Sequence, residues 1–503
     1  MIDPQSGELH LGVVGAGAMG QGIVQVALTG GMTVSVYDAS QGAAQRAAAT
    51  VVQRIDRLVE KGQFGKDEAT AARRRLKIVD GLAGLAGSHV VIEAVYENLE
   101  LKQKIFAELE AIVDGSCVLA SNTSSLLIAS IARACRARER IAGMHFFNPV
   151  PLMKLVEVVR GPDTSAAVIG FLSGLGKRMG RVPVTVKDAP GFLVNLGGRA
   201  YTTEAMRLLH ERVATPAQID AVMRDGCGFR MGPLELADLT GIDVNYPVSQ
   251  FIYDGYNQDP RLKTSFPHRA LYEAGRLGRK TGQGSYRYGQ NGARIDDTSA
   301  DHVTTAAPAV KLVLSEMDET ALSFIAGLGA QILDHDDGNS PIIAELLGED
   351  CTTHAVRTGA HHRRLVGIDL TCDTSRRVTI MTAPGADTAA RDGVAALIAA
   401  SGRAVTAIKD SPGFIAQRLR AMIANLGCEM AQIGIATPEE IDLAMRLGLN
   451  YPLGPLELAE HLGLADTIAI LERAQAITGD DRYRPSLWLK RRAGLGLPIH
   501  TPD

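Results

Sequence analysis

Two side chains twelve positions apart, His145 in AGMHFFNPV and Glu157 in KLVEVV, have the types needed to move a proton on and off an alcohol. An imidazole titrates near working pH, and a carboxylate beside it fixes its tautomer and stabilises the cation that forms. Such a pair suits removal of a hydroxyl proton while a hydride leaves the same carbon. The hydride needs an acceptor, and a site for one is written near the N-terminus. Gly15-x-Gly17-x-x-Gly20 follows the apolar run Leu11–Val14 and opens a helical pattern carried by Ile23, Val24, Val26, Ala27 and Leu28. Gly30 and Gly31 end that pattern, and a second apolar run, Thr33–Tyr37, ends on Asp38. Gly15 permits a tight turn, Gly17 lets the backbone approach a pyrophosphate, and Gly20 lets helix and strand pack closely. The helix N-terminus offers N–H groups and the positive end of its dipole to phosphates. Asp38 stands where a carboxylate accepts from ribose hydroxyls and repels a 2′-phosphate, which favours NAD over NADP. The fingerprint by itself also admits FAD.

The elements that must position these groups follow from the pattern. The apolar stretches HVVIEAV, SCVLASNTSS and AGMHFFNPV read as further strands, each ending in polar residues. Strands alternating with helical stretches predict a parallel, doubly wound sheet. Ligands of such sheets sit at the carboxyl ends of the strands. Glu93, Ser121, Asn122 and His145 all fall at or near those ends.

Together, GAGAMGQGI, VIEAVYENLELKQKIF, ASNTSSL, GMHFFNPVPLMKLVEVV, KDAPGFLVN and GPLELADLTGID resemble the L-3-hydroxyacyl-CoA dehydrogenase family, over residues 9–288. The resemblance implies a Rossmann-like NAD domain followed by a helical domain, with an acyl-CoA substrate in the cleft between them. It implies His145 as general acid/base, Glu157 as its orienting partner, and Ser121 and Asn195 as hydrogen-bonding partners of the substrate's C3 oxygen. It places NAD on Gly15, Gly17, Ala18, Met19 and Gly20, with Asp38 on the ribose. Glu93, Ala94, Lys102 and Asn122 would lie along the nicotinamide side. A glutamate of the EAVxE element would sit near the histidine and be coupled to domain closure. Lys61 is a candidate for CoA phosphate contact, set against a solvated helix face. Arg230 is a candidate partner for a distal substrate carboxylate, set against a surface or interdomain role. The chain departs from the family pattern after Asn195, where Leu196 stands in place of an arginine. Among family substrates, the two-copy architecture and GIDVNYPV point to 3-hydroxyadipyl-CoA, and 3-hydroxybutyryl-CoA is the alternative.

KDAPGF at Lys187–Phe192 returns as KDSPGF at Lys409–Phe414, ATP at Ala214–Pro216 returns at Ala436–Pro438, and MGPLELAD returns as LGPLELAE, each 222 positions on. This is an internal duplication. The same shift carries His145 to Gly367, Glu157 to Thr379 and Asn195 to Gln417, and no second glycine fingerprint precedes them. The second copy therefore reads as a remnant without chemistry, keeping two short strands and a helix of the nucleotide domain. The expected domains are 1–187 for NAD, 188–290 for the first helical copy, a linker at 291–308, the remnant at 309–404 and the second helical copy at 405–503. The resemblance implies a homodimer contact through the helical domain, and a tandem second copy would occupy that surface within one chain.

Composition narrows the remaining classes. The 503 residues suggest three or four domains, and a net charge of −4 leaves no basic face for nucleic acid or an anionic membrane. No apolar run reaches the roughly 18 residues of a membrane span, and the N-terminus lacks a signal-peptide pattern. Six scattered cysteines without a Cys-x-x-Cys pair read as free thiols in a reducing, cytoplasmic setting, and the reading requires no metal. Dehydrogenases of the 6-phosphogluconate or 3-hydroxyisobutyrate type would use a lysine base. A non-catalytic NAD-binding scaffold would have a disrupted first copy. A fatty-acid oxidation multienzyme would need a hydratase domain before Leu9.

Overall fold

In the computed structural model, which describes residues 1–295 and 299–503, the near-continuous apolar runs become buried strands. The part of the expected linker at Asp296–Thr298 lies outside the described residues. Two compact units are present, one of residues 1–196 and 433–449, the other of residues 197–432 and 450–503. These units do not follow the sequence repeats, because each takes a helix from the opposite copy.

The first unit holds an eight-stranded sheet. Its strands are β1 (His10–Val14), β2 (Thr33–Tyr37), β3 (Leu76–Ile78), β4 (Val90–Glu93), β5 (Val118–Ser121), β6 (Ile141–Phe146), β7 (Leu155–Arg160) and β8 (Val182–Lys187), in spatial order β3-β2-β1-β4-β5-β6-β7-β8. The first six are parallel, as the alternating pattern predicts. β7 returns antiparallel to β6 and β8 follows β7, which corrects the expectation of a wholly parallel sheet. The reason is length: the connection from Phe146 to Leu155 is too short for a crossover, which takes a dozen or more residues. The return sets His145 directly opposite Glu157. Beyond β8, the second-copy helix Pro438–Leu449 joins this unit. Lys187 donates its N–H to the Ile435 carbonyl at 2.8 Å, and Thr185 donates its N–H to Glu440 Oε1 at 2.9 Å.

The second unit carries its own sheet of six strands, β9 (Lys311–Ser315), β10 (Gln331–Leu333), β11 (Ile342–Glu345), β12 (Leu365–Asp369), β13 (Arg377–Thr382) and β14 (Ala404–Lys409), in order β10-β9-β11-β12-β13-β14. The remnant thus keeps more than the two strands and one helix expected from its sequence. Here the first-copy helix Pro216–Asp225 takes the place beside the sheet. Lys409 donates its N–H to the Val213 carbonyl at 3.0 Å, and Gln218 Nε2 donates to the Ala407 carbonyl at 3.1 Å. These positions are the 222-residue equivalents of the pairs in the first unit, so the two copies exchange helices reciprocally.

Within the second unit, helix Arg199–His210 of the first copy packs on helix Ala416–Gln432 of the second. Their contact encloses a fully buried ion pair. Arg418 reaches Glu204 Oε1 through Nε and Nη2 at 2.9 and 2.7 Å, and Glu211 Oε2 through Nη1 at 2.7 Å. Arg418 is the repeat equivalent of Leu196, and Glu204 is the equivalent of Leu426. The arginine expected after Asn195 therefore survives only in the second half, its acidic partner only in the first. The two corresponding positions are both leucine.

Buried Asp220 anchors the turn ahead of helix Pro233–Thr240. Its carboxylate accepts N–H bonds from Leu234 and Glu235 at 2.9 Å each, and the Tyr286 hydroxyl donates to it at 2.6 Å. Burial nevertheless outweighs these bonds and pushes the carboxyl up to about 6. A folded-state value above the unfolded one gives stability that is present below pH ~4 and lost as pH rises through ~6. The loss over that window is about 2–3 kcal/mol. Asp220→Asn is expected to flatten the fall in unfolding midpoint between pH 4.5 and 7; an unchanged slope would assign the pH dependence elsewhere.

Candidate active site

The glycine loop after β1 behaves as its sequence requires. Gly15 has φ +102°, and a Cβ there would stand 2.5 Å from the Ala94 carbonyl oxygen. A Cβ on Gly20 would stand 1.9 Å from the Gly15 carbonyl oxygen, so helix and turn meet at backbone contact. A Cβ on Gly17 would meet nothing within 4 Å, so the loop faces open space at the one glycine that must admit a pyrophosphate. Ala18 and Met19 begin helix Ala18–Thr29, whose first turn has no side-chain cap. Those first N–H groups point to an anion rather than to the protein's own side chains. Asp38, at the end of β2, accepts the Ala16 N–H at 2.7 Å and the Ser40 N–H at 2.8 Å. The second lone pairs of its oxygens remain for ribose hydroxyls. The residues present fit a dinucleotide.

The carboxyl ends of β4, β5 and β6 carry the polar groups. Glu93 Oε1 accepts from Lys102 Nζ at 2.7 Å and from the Val95 N–H at 2.6 Å, and the Ser121 hydroxyl donates to Glu93 Oε2 at 2.7 Å. All three side chains are buried, so they form one closed charged cluster under the strand ends. Asn122 ties neighbouring strand ends by accepting the Phe146 N–H at 2.8 Å. Ala94, half-buried, donates its N–H to the Val14 carbonyl at 2.7 Å, holding β4 to β1.

His145 Nδ1 lies 2.6 Å from Glu157 Oε2, with the imidazole 6 % exposed and the carboxylate fully buried. Glu157 Oε1 accepts the N–H groups of Leu193 and Val194 at 3.2 and 2.8 Å. A carboxylate only accepts, so Nδ1 is the donor and the Nε2 lone pair is left for a substrate proton. The rings of Phe147 and Phe192 stand 4.6 and 5.9 Å from the imidazole. Phe192 adopts φ +48° in the KDAPGF turn, which delivers the two N–H donors to Glu157. Asn195 follows on the same turn, its Nδ2 donating to the Ser124 carbonyl at 3.4 Å.

Glu97, the second glutamate of the EAVYE stretch, ties down the loop after β5. It accepts from the Thr123 hydroxyl, from the Ser124 and Ser125 N–H groups at 3.0 Å each, and from the Ser125 hydroxyl at 2.8 Å. Burial pushes its carboxyl up, but the Thr123 bond, the Lys102 charge and the Ser125 bonds outweigh burial and leave it below its ordinary value. One carboxylate thus organises the loop that presents Ser124 to Asn195. Lys61 is exposed at the end of helix Ala43–Glu60 and lines a recess of ≈ 560 Å³ with Arg54, Arg57 and Arg181. Arg230 is exposed on a loop of the second unit.

Equivalent strand ends in the second sheet lack this chemistry. Thr379 lies opposite Asp369, so the positional equivalent of His145 is Asp369; the constant shift of 222 had indicated Gly367. The paired residues are twelve apart in the first sheet and ten apart in the second, and the shift fails across that difference. Gln417 closes the position by donating to Asp369 Oδ1 at 3.0 Å and to the Leu346 carbonyl at 2.8 Å. Among the described residues no three metal-ligating side chains converge, and no helix is long and apolar enough to cross a membrane.

Comparison with known proteins gives the family of the chain. The 3-hydroxyacyl-CoA dehydrogenase NAD binding domain matches residues 10–189, and the C-terminal domain of the same family matches residues 191–288 and 413–498. The chain belongs to the 3-hydroxyacyl-CoA dehydrogenase family, a family of NAD-dependent oxidoreductases. It is 38 % identical over 484 residues, 96 % of this chain and 97 % of the other, to a 3-hydroxyadipyl-CoA dehydrogenase of Escherichia coli K12. It is 37 % identical over 280 residues to a probable 3-hydroxybutyryl-CoA dehydrogenase of Deinococcus radiodurans, covering 56 % of this chain and 100 % of that one. A crystal structure of a 3-hydroxybutyryl-CoA dehydrogenase from Escherichia coli K12 superposes with a TM-score of 0.85 at 36 % identity, over 97 % of this chain and 98 % of that one.

Proposed function

We propose that the protein oxidises a (S)-3-hydroxyacyl-CoA to the 3-oxoacyl-CoA, with 3-hydroxyadipyl-CoA the preferred thioester. The observation that carries the chemistry is the buried His145–Glu157 pair, 2.6 Å apart at the strand ends of a dinucleotide-binding sheet. NAD, when bound, supplies the hydride acceptor. His145 Nε2 takes the C3 hydroxyl proton while Glu157 holds Nδ1–H and steadies the imidazolium. Asn195 and Ser121 address the C3 oxygen as the alcohol becomes a ketone. For Ser121 this means sharing a hydroxyl that rests on Glu93. Asp38 takes the ribose, and Glu93, Ala94, Lys102 and Asn122 shape the nicotinamide side. Lys61, with the three arginines of its recess, takes CoA phosphates by charge.

Similarity over the whole chain to a protein named for 3-hydroxyadipyl-CoA supports the dicarboxylyl substrate, and Arg230 offers an exposed guanidinium for the distal carboxylate. The solved chain named for 3-hydroxybutyryl-CoA supports the shorter substrate as the second reading. NADH absorbance with both thioesters decides between them. Arg230→Met is expected to raise KM for 3-hydroxyadipyl-CoA by about 10-fold or more, the loss of one charge-assisted contact, and to leave 3-hydroxybutyryl-CoA within about twofold. Equal effects on both would remove Arg230 from acyl recognition. We also assign the second copy a packing role, standing in for a partner subunit. The reciprocal helix exchange and the buried Arg418–Glu204 pair support this.

A further inference from the structure

The six cysteines differ in their surroundings. Cys117, Cys135, Cys351 and Cys428 are buried, whereas Cys227 and Cys372 are only partly covered. Burial also pushes the Cys117 thiol up to about 12 and the Cys135 thiol up to about 11, which makes both poor nucleophiles. The two partly covered cysteines lie on neighbouring loops. Cys227 lies on the loop after helix Pro216–Asp225, and Cys372 lies on the loop after β12, 145 residues further along the chain. A backbone bond ties these loops at the neighbouring residues, the Asp373 N–H donating to the Gly226 carbonyl at 2.9 Å. A Cβ built on Gly226 would stand 3.1 Å from Cys372 Sγ. The Cys227 side chain is also the largest influence on the Cys372 thiol, raising it well above its ordinary value. Both line one open recess of ≈ 590 Å³, wide enough to admit a small oxidant.

We infer that Cys227 and Cys372 form a reversible disulfide when the protein meets a peroxide. Hydrogen peroxide oxidises the Cys227 thiol to a sulfenic acid and releases one water. The Cys372 sulfur then attacks that sulfur, its proton leaves with the sulfenic oxygen as a second water, and the S–S bond forms. Two thiols lose two electrons to one peroxide. Cys227 is oxidised first because the Cys372 thiol is held protonated: the neighbouring Cys227 side chain, then burial, then the Asp369 charge all raise it. The two loops are already held side by side, because the residues flanking the cysteines are hydrogen-bonded to each other. The bond would staple the loop that carries Arg230 to the second sheet, a cross-link between the first helical copy and the remnant.

The test uses the full-length protein, reduced and then exposed to an equimolar amount of hydrogen peroxide. Free thiols counted after unfolding are expected to fall from six to four. Peptide mapping is expected to find one linked pair joining the Cys227 and Cys372 peptides, lighter by two hydrogens. Dithiothreitol should restore all six thiols. Cys227→Ser should keep its five remaining thiols under the same treatment, whereas Cys372→Ser should stop at a Cys227 sulfenic acid, with four alkylatable thiols and no linked pair. A Cys227 sulfinate beside an alkylatable Cys372, a linked pair involving any other cysteine, or six surviving thiols would each overturn the inference.

Discussion

His145→Gln is expected to lower kcat/KM for the hydroxyacyl-CoA by about 10³–10⁴-fold while leaving NAD affinity within about twofold. At the strand ends the imidazole has a fixed donor side on Glu157 and an acceptor side at Nε2. Glu157 is anchored by the Leu193 and Val194 N–H groups, so it meets Nδ1 from a fixed position, and the ring has no freedom to reverse its tautomer. Glutamine can keep a hydrogen bond to Glu157 through its amide, so the pocket stays filled, but an amide cannot take a proton. The loss therefore falls on chemistry rather than on folding. The glycine loop and Asp38 belong to other strand ends and touch none of these atoms, so NAD titration checks that the variant is folded. A variant retaining more than a tenth of the wild-type rate would displace His145 from the proton-transfer role and leave the dinucleotide site without its partner. A loss of NAD affinity equal to the loss of rate would mean instead that the substitution had disturbed the sheet.

What was legible in the sequence follows from how local each feature is. The glycine fingerprint, the strand Thr33–Tyr37 and Asp38 occupy one short stretch, and each residue type there answers to a steric demand within that stretch: +102° at Gly15, backbone contact at Gly20, open space at Gly17. The pairing of His145 with Glu157 was legible only in part. Twelve residues of separation do not announce an antiparallel return, and the length of the connection does so only once both strands are known. The second sheet was under-read because its first strand no longer feeds a glycine loop, so the run beginning at Lys311 lacks the punctuation that marked β1. The constant shift was followed one step too far, because pairing in the second sheet spans two residues fewer. Contacts across great sequence distance left little local trace. Arg418 and Glu204 lie 214 positions apart, and only Leu196, an arginine missing from where the family pattern expects it, hinted that such a pair had moved.

Lys102→Met is expected to cost about 3–5 kcal/mol of stability, the largest effect on folding of any single change at the site. Lys102 and Glu93 are 1 % and 0 % exposed, so their charges depend on each other rather than on water. Methionine fills much the same space, so the cavity penalty is small and the cost is electrostatic. Glu93 would keep the Val95 N–H and the Ser121 hydroxyl as donors, two neutral bonds for a full buried charge. It must carry that charge unpaired. Adding Glu93→Gln to Lys102→Met removes the orphaned charge; the double variant should recover at least half of the loss. Denaturant midpoints of the wild type and the three variants measure this directly. If the double variant were no more stable than Lys102→Met alone, the stabilising contribution of Lys102 would lie in its methylene packing and in its 3.3 Å contact with Glu97, not in the neutralisation of Glu93. If the prediction holds, Glu93 and Lys102 have a structural role that comes before any contact with the nicotinamide. The pair then fixes the end of β4 and the hydroxyl of Ser121, the group proposed above to meet the alcohol's oxygen.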